Sequence, residues 1–162
     1  MKLLTAITAL SRPDADEPFR TEVWHDGVIE HDTLQGNLYV VGGFDPEFDS
    51  QAMDSLIEEV MTFPFSVING QVYGDVSMKD SLYWGHGWAW DDTPAGYQPY
   101  LSPLMFCKGT VQISVFPSAV QGDTASISCK PVSSYYTLTN RTKTRTSSAG
   151  KFSFSRDWLR NG

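Results

Sequence analysis

The feature that most restricts the fold is a segment of eighteen residues, 83–100, with the sequence YWGHGWAWDDTPAGYQPY. It contains six aromatic rings, three glycines, two prolines and two adjacent aspartates. Glycine and proline at this density interrupt helices and strands, so the segment predicts a long loop on the surface. Contiguous apolar groups on such a loop are typical of a binding site.

The chemistry of this loop indicates the kind of ligand that it would bind. Trp84, Trp88 and Trp90 are spaced by glycine and alanine, which lets the backbone turn and present the rings. Asp91 and Asp92 follow directly and place negative charge beside the rings. Carboxylates beside aromatic rings suit an ammonium group on a hydrocarbon stem. Two plainer alternatives stay open: the rings fill a satellite core, or the aspartates cap a turn.

The charge of the chain restricts its partners. The 162 residues include 19 acidic and 12 basic side chains, which give a formal net charge of −7. This charge argues against nucleic acids and anionic membranes, because their phosphates would be repelled. No segment approaches the roughly 18 apolar residues of a membrane span. A cationic or zwitterionic ligand is the easier fit, and no cofactor is indicated.

The first ten residues, MKLLTAITAL, imitate a signal peptide only in part. One lysine precedes a short apolar run, but no small-x-small cleavage site follows. Leu3, Leu4, Ile7 and Leu10 instead fall on one face of a helix. The segment is therefore predicted to be an amphipathic helix, and the chain shows no convincing signal peptide.

Alternating apolar residues predict strands in the first half of the chain. Residues 19–25 are expected to form one strand, with a turn at Asp26 and Gly27 and residues 28–31 pairing back. Residues 37–41 are a short apolar run suited to a buried strand.

One internal helix is predicted with both of its ends. Asp49 or Ser50 can cap it, and Pro64 stops it. The apolar residues of this segment make one helical stripe: Met53, Leu56, Ile57, Val60 and Met61.

The rest of the chain is predicted to consist of strands and turns. A strand over residues 67–73 is broken at Asn69 and Gly70, and further strands are expected from four segments. These are residues 111–115, 125–129, 135–138 and 152–154. The layout is α+β, mainly an antiparallel sheet with one well-defined internal helix and an N-terminal helix. The last residues read as a strand entering an Asn-Gly turn, as expected of a chain that is cut there.

The two cysteines are too few for a disulfide framework. If residues 111–116 and 124–129 form a hairpin, Cys129 falls opposite Val111, and Cys107 lies about 13 Å away along the strand. That separation is too large for a bridge, so two buried thiols are expected.

Six stretches in order resemble the class C low-molecular-mass penicillin-binding proteins, which are D-alanyl-D-alanine carboxypeptidases and endopeptidases. They are KLLTAITAL, FRTEVWHDG, GNLYVVGGFDPEF, GDVSMKDS, WGHGWAWDD with Tyr97, and SYYTLTNRTKT. The resemblance implies a serine-type hydrolase of the periplasm or cell envelope that trims peptidoglycan.

The resemblance matches Lys2 to the lysine of the family's Ser-x-x-Lys motif. The serine would stand one helical turn earlier, where the lysine amine can accept its proton. That position precedes Met1, and the family's Ser-x-Asn and Lys-Thr-Gly motifs do not occur in these 162 residues. Ser148 and Lys151 fit Ser-x-x-Lys literally, but Gly150 interrupts any helix between them. The polypeptide is therefore expected to be inactive alone.

By the same resemblance, residues 1–18 are a remnant of the catalytic-domain helix and its connection, and residues 19–162 are the family's accessory insertion. The aromatic loop would receive the diamino acid side chain of the peptidoglycan stem peptide. Asp92 would bind its amine, and Trp90 and Tyr97 its aliphatic part. The expected partners are the stem peptide and the catalytic portion of the enzyme.

Two other functions compete with this interpretation. The tryptophans of the loop could form a stand-alone module that binds the peptides or sugars of peptidoglycan. A metal-dependent hydrolase would use His25, His31 and His86, but these lie in different elements without ligand spacing.

Overall fold

The computed structural model describes residues 2–12, 14, 16–89, 95–146 and 152–157. Within these residues, two α-helices and eight strands follow one another, with a 3-10 turn at Cys107–Gly109. In chain order they are α1 (Lys2–Leu10), β1 (Glu22–His25), β2 (Val28–Glu30), β3 (Thr33–Gln35), β4 (Leu38–Val41), α2 (Ser50–Val60), β5 (Val67–Ile68), β6 (Val72–Asp75), β7 (Gln112–Phe116) and β8 (Ser126–Lys130). The predicted α+β class is confirmed.

Six strands form one kinked sheet made of two three-stranded halves. One half has the order β1-β4-β6 and the other β2-β3-β5. In both halves the first pair is antiparallel, the second pair is parallel, and the residue offset between partners is the same. The chain segments 22–30, 33–41 and 67–75 therefore run side by side through both halves.

The kink lies where one glycine from each of the three segments packs against the backbone of a neighbouring segment. A β-carbon on Gly27 would lie 2.1 Å from the carbonyl oxygen of Gln35, and one on Gly70 would lie 2.0 Å from that of Gly36. Only glycine permits backbones to approach this closely. The row Gly27, Gly36 and Gly70 thus allows the sheet to bend while the register is kept.

One predicted pairing is wrong. Residues 28–30 do not return along β1, because β2 pairs with β3 and β1 pairs with β4. Asp26 and Gly27 carry the strand across the kink, and the reversal comes later, where His31 has a positive φ of 58°. The strand predicted over residues 37–41 and the break predicted at Asn69 and Gly70 are confirmed.

Two of the buried apolar residues lie in the kinked sheet. Leu34 in β3 is fully buried, and Leu38 in β4 is nearly so. Phe48 is buried in the connection after β4 and meets Phe106 edge to face, with ring centroids 6.2 Å apart. The chain returns here after the aromatic loop, since the backbone N–H of Cys107 donates to the carbonyl of Phe48.

The internal helix begins as predicted. The Asp49 side chain accepts hydrogen bonds from the backbone N–H groups of Gln51 and Ala52, each at 3.0 Å. These bonds satisfy two donors that the first helical turn leaves unpaired. The predicted apolar stripe is only partly covered, because Ile57 and Met61 are exposed.

The hairpin of β7 and β8 differs from its predicted register by two residues. Cys129 lies opposite Ile113 rather than Val111, because both strands begin one or two residues later than expected. Cys107 and Cys129 are free, as predicted, but both thiols are half-buried rather than buried. Burial raises the pKa of Tyr136, with a smaller contribution from Cys129.

The strands predicted at residues 135–138 and 152–154 are absent. Side chains hold the segment that follows β8. Asn140 Nδ2 donates to the carbonyl of Ala125 at 2.7 Å, and the Ala125 N–H donates to Thr142 Oγ1 at 3.2 Å. These bonds replace the backbone ladder that a further strand would need.

The N-terminal helix is confirmed, and its apolar face is open. Leu3, Leu4, Ile7 and Leu10 are all more than half exposed. Neither helix in the described ranges has the length and apolar character needed to cross a bilayer.

A test of the kinked sheet is the substitution Asp26→Asn. The Asp26 carboxylate accepts hydrogen bonds from the backbone and side-chain N–H groups of Asn37 and from the Tyr39 hydroxyl, which lower its pKa from 3.8 to about 2. This stabilisation is complete above pH 3.8 and is lost as the pH falls to about 2.

The Asp26→Asn variant should melt at a lower temperature than the parent at pH 7, and the difference between their melting temperatures should shrink on acidification. Thermal melts followed by circular dichroism, with Asp54→Asn as the control for loss of one exposed carboxylate, measure this. A difference independent of pH would contradict the assignment.

Candidate binding site in the aromatic loop

The two ends of the aromatic loop lie at the same end of the sheet. The chain leaves β6 at Asp75 before it enters the loop, and it returns from the loop to Pro103. The carbonyl of Pro103 accepts a hydrogen bond from the Phe44 N–H at 2.8 Å. Gly42 is buried here, and a β-carbon on it would lie 2.3 Å from the backbone nitrogen of Leu104. Where the two ends of the loop meet, the Leu101 N–H donates to the carbonyl of Tyr83 at 2.7 Å. This bond closes the neck of the loop.

The rings of Tyr83, Trp84 and Tyr100 form a cluster next to the neck of the loop. The Tyr83 and Tyr100 centroids are 6.4 Å apart, and those of Trp84 and Tyr100 are 6.3 Å apart. Tyr83 and Trp84 remain 45% and 44% exposed. The rings are thus packed against one another and also open to a ligand, as expected of a binding surface.

A cation already lies on this cluster. The guanidinium carbon of Arg156 is 4.1 Å from the centroid of Tyr100, which is within cation–π range. The role of Arg156 could not be predicted from the sequence, because no local pattern connects it to a ring so far away in the chain. The contact shows that the aromatic cluster accepts a positively charged group.

The described tip of the loop is held by short-range contacts. A β-carbon on Gly85 would lie 2.7 Å from Trp88 Nε1, so the indole folds back over the backbone of Gly85. Gln98 spans the loop by donating from its side chain to the carbonyl of Ala89 at 3.1 Å. Trp88 is 38% exposed.

The predicted site residues have different outcomes. Tyr97 lies in the described part of the loop and is 76% exposed. Trp90, Asp91 and Asp92 lie outside the described residues, so their predicted roles stay predictions. Lys2 is exposed in the first turn of α1.

A shallow cavity of about 180 Å³ lies beside the neck of the loop. Its wall includes several hydroxyl groups and one lysine. The lining residues are Val76, Ser77, Lys79, Asp80, Ser81, Tyr83, Leu101, Ser102 and Pro103. Lys79 is largely buried and donates to the Asp80 carboxylate and to the carbonyl of Leu82. The Lys79 bond, together with the Leu82 N–H, lowers the pKa of Asp80.

Lys79 therefore anchors the chain at Leu82, one residue before the aromatic loop starts. The stretch GDVSMKDS carries part of the family resemblance, but no role was predicted for its lysine. The adjacent Lys-Asp pair was the signal that could have indicated an anchoring turn.

The histidines do not form a metal site in the described part of the chain. No group of three His, Cys, Asp or Glu side chains there has the geometry to hold a metal ion. His25 Nδ1 lies 2.9 Å from the carbonyl oxygen of Gly27, which gives this ring a local structural contact at the kink.

Comparison with known proteins identifies the family. The model of the D-Ala-D-Ala carboxypeptidase 3 (S13) family matches residues 1–156. A D-alanyl-D-alanine carboxypeptidase from an Actinomadura species is 31% identical over 150 residues, which cover 89% of this chain and 28% of that protein. The D-alanyl-D-alanine carboxypeptidase DacB of Haemophilus influenzae is 33% identical over 91 residues, which cover 56% of this chain and 19% of that protein.

A solved structure agrees with these matches. Penicillin binding protein 4 from Haemophilus influenzae superposes with a TM-score of 0.67 and 26% identity, over 78% of this chain and 28% of that one. The chain spans less than a third of the length of each of these relatives. Because the family model matches nearly the whole chain, this protein belongs to the D-Ala-D-Ala carboxypeptidase 3 family.

Proposed function

We propose that this chain is the accessory part of a serine-type D-alanyl-D-alanine carboxypeptidase or endopeptidase, and that its aromatic loop binds the peptidoglycan stem peptide. The observation that carries the proposal is the contact of Arg156 with Tyr100 at 4.1 Å. It is a cation on a ring of the same aromatic loop in which we assign Asp92 to the amine of a diamino acid. The family match and the names of the relatives support the reaction class.

The proposed division of the chain assigns its two segments to different parts of the enzyme. Residues 1–18 belong to the catalytic portion, and residues 19–162 form the accessory insertion. The open apolar face of α1 supports this division, because Leu3, Leu4, Ile7 and Leu10 are exposed and are suited to packing against a catalytic portion. The parent enzyme acts in the periplasm or cell envelope, where peptidoglycan lies.

Catalysis requires groups that these 162 residues do not contain. Lys2 corresponds to the motif lysine, which needs a serine hydroxyl as its proton donor. The motifs Ser-x-Asn and Lys-Thr-Gly are also absent from the sequence. The polypeptide therefore supplies recognition, and the reactive centre lies in the catalytic portion.

The polypeptide of residues 1–162 should remain unlabelled by a fluorescent penicillin, because no activated serine is available for acylation. Gel fluorescence after incubation measures the labelling, with an active penicillin-binding protein as the positive control. Stoichiometric labelling would contradict the proposal. If labelling occurred, its loss in Ser148→Ala would identify the Ser148 and Lys151 pair as the nucleophile site.

In the proposed complex the side chain of the diamino acid lies along the loop. Asp92 binds its ammonium group, and Trp90 and Tyr97 contact its aliphatic carbons. The large exposed fraction of Tyr97 supports this role, since its ring is accessible to a ligand. A carboxylate and an ammonium form a charge-assisted hydrogen bond, which is stronger than a neutral one.

Asp92→Asn should weaken binding of the tripeptide L-Ala-γ-D-Glu-diaminopimelate about tenfold, because a hydrogen bond between charged groups is lost. Isothermal titration measures the dissociation constant. The matched control is Asp91→Asn, which removes the same charge one residue earlier and should have a smaller effect. Equal affinity of the Asp92 variant and the parent would remove Asp92 from the site.

Lys79→Met should loosen the neck of the aromatic loop, because the Leu82 carbonyl and the Asp80 carboxylate lose their donor. Hydrogen exchange of the Leu101 amide, which bonds to Tyr83, should become faster than in the parent. Lys108→Met is the control, since the ion pair of Lys108 with Glu47 is exposed and distant in sequence. Unchanged exchange at Leu101 would show that Lys79 does not hold the neck.

A stand-alone module that binds peptidoglycan is the second candidate. The exposure of Trp84, Trp88 and Tyr97 in this chain favours it, because these rings are accessible without any further domain. Sedimentation of the chain with purified peptidoglycan tests this function. Retention that persists in Asp92→Asn would favour the module over the stem-peptide site.

A further inference from the structure

A second aromatic surface lies on the sheet, separate from the loop. Trp24 in β1 is opposite Tyr39 in β4, and Tyr39 is opposite Tyr73 in β6. Residues opposite one another in neighbouring strands have their side chains on the same face. The three rings therefore form an aromatic row across three strands, and the Tyr39 and Tyr73 centroids are 5.4 Å apart with nearly parallel planes.

The aromatic row faces solvent. Trp24 is 60% exposed and Tyr73 is 47% exposed, while the alternate residue Leu38 on the opposite face is buried. Two exposed rings on a sheet face are costly to leave in water, because large aromatic side chains gain most from burial. Contiguous exposed rings of this kind mark an interaction surface.

The Trp24 ring is also held in one orientation. Its indole Nε1 donates to the carboxylate of Glu22 at 3.0 Å. Fixing an exposed side chain lowers the entropy that a ligand would otherwise have to remove on binding. The Tyr39 hydroxyl is fixed similarly, by donating to Asp26 at 2.7 Å.

Three carboxylates lie beside the aromatic row, with Glu22 and Asp75 on one side of it and Asp26 on the other. Glu22 is two residues before Trp24, and Asp75 is two residues after Tyr73, so both point to the same face as the rings. Both are opposite Val41 of β4, Glu22 from β1 and Asp75 from β6, so they lie on the same side of the row. The residues of this face within β1, β4 and β6 include no lysine, arginine or histidine, and Arg20 lies two residues before Glu22, with its backbone beside Gly43.

We infer that this face, the aromatic row between Glu22, Asp75 and Asp26, binds an arginine-containing basic segment of a partner protein. The charge complementarity selects the ligand, since three carboxylates outnumber the single arginine, Arg20, and favour a positively charged group. Arginine fits best because its planar guanidinium stacks on aromatic rings and donates two hydrogen bonds to one carboxylate. Arg156 on Tyr100 shows the same contact within this chain.

The size of the surface favours a peptide segment over a single small cation. Three strands span about 10 Å from the first to the third, which is room for more than one guanidinium. A neutral sugar chain could also stack on aromatic rings, but it gains less from carboxylates that carry full charge. The acidic border is therefore the observation that selects a basic segment.

The probe for this surface is acetylated, amidated tetra-arginine, compared with the tetra-citrulline peptide of the same shape without charge. The tetra-arginine peptide should bind and shift the Trp24 indole N–H resonance, which Trp24→Phe identifies, and the citrulline peptide should bind at least about fivefold more weakly. Binding should weaken as salt increases.

The double variant Glu22→Gln with Asp75→Asn should weaken tetra-arginine binding about fivefold or more. Asp54→Asn with Glu58→Gln removes the same charge from the exposed side of α2 and is the matched control. Trp24→Ala should weaken binding similarly, and thermal melts verify that each variant is folded.

Three results would overturn the inference. One is equal weakening in the two double variants, since that would reflect net charge alone. Another is equal binding of the citrulline peptide. The third is tighter binding of a tetramer of N-acetylglucosamine at the Trp24 resonance, which would assign the surface to a sugar. Stem-peptide binding at the aromatic loop is independent of each of these measurements.

Discussion

The close approach of three backbones at Gly27, Gly36 and Gly70 is the constraint on which the rest of the structure depends. A β-carbon at these positions would lie 2.0 to 2.6 Å from a neighbouring backbone atom, so only glycine allows the sheet to bend there. Asn37 reinforces the bend from the next position. Its side-chain oxygen accepts from the Gln71 N–H, and its amide nitrogen donates to Asp26. One residue thus joins all three segments of the sheet.

The positions of both proposed binding surfaces follow from this arrangement. β6 runs parallel to β4, and the hydrogen bond between Asn37 and Gln71 holds the register of this pair. Residues 76–82 then connect β6 to the neck of the aromatic loop. The same register places Tyr73 beside Tyr39 and Trp24, on the face opposite to Leu38. A shift of one residue would turn the rings toward the opposite face, since the side chains of a strand alternate. The kink therefore determines how the loop and the aromatic row are presented.

The two surfaces share a chemistry but differ in how rigidly they are held. On the sheet, Glu22 and Asp26 fix the rings from strands that are themselves hydrogen-bonded. In the loop, the ring cluster depends on the neck bond between Leu101 and Tyr83 and on Arg156. Sites on regular elements are held more precisely than sites on loops. The rings of the sheet are therefore held more firmly than the ring cluster of the loop.

The sequence alone determined the features that depend on neighbours in the chain. Asp49 as the cap of α2, the break at Asn69 and Gly70, the α+β class and the aromatic loop follow from local patterns, and the ordered motifs indicated the family. Tertiary structure decided what brings distant residues together. The pairing of β2, the aromatic row and the contact of Arg156 with Tyr100 join segments separated by many residues, and hydrophobic periodicity carries no record of partners at such distances. Strand pairing and side-chain register therefore emerge only when the backbones meet.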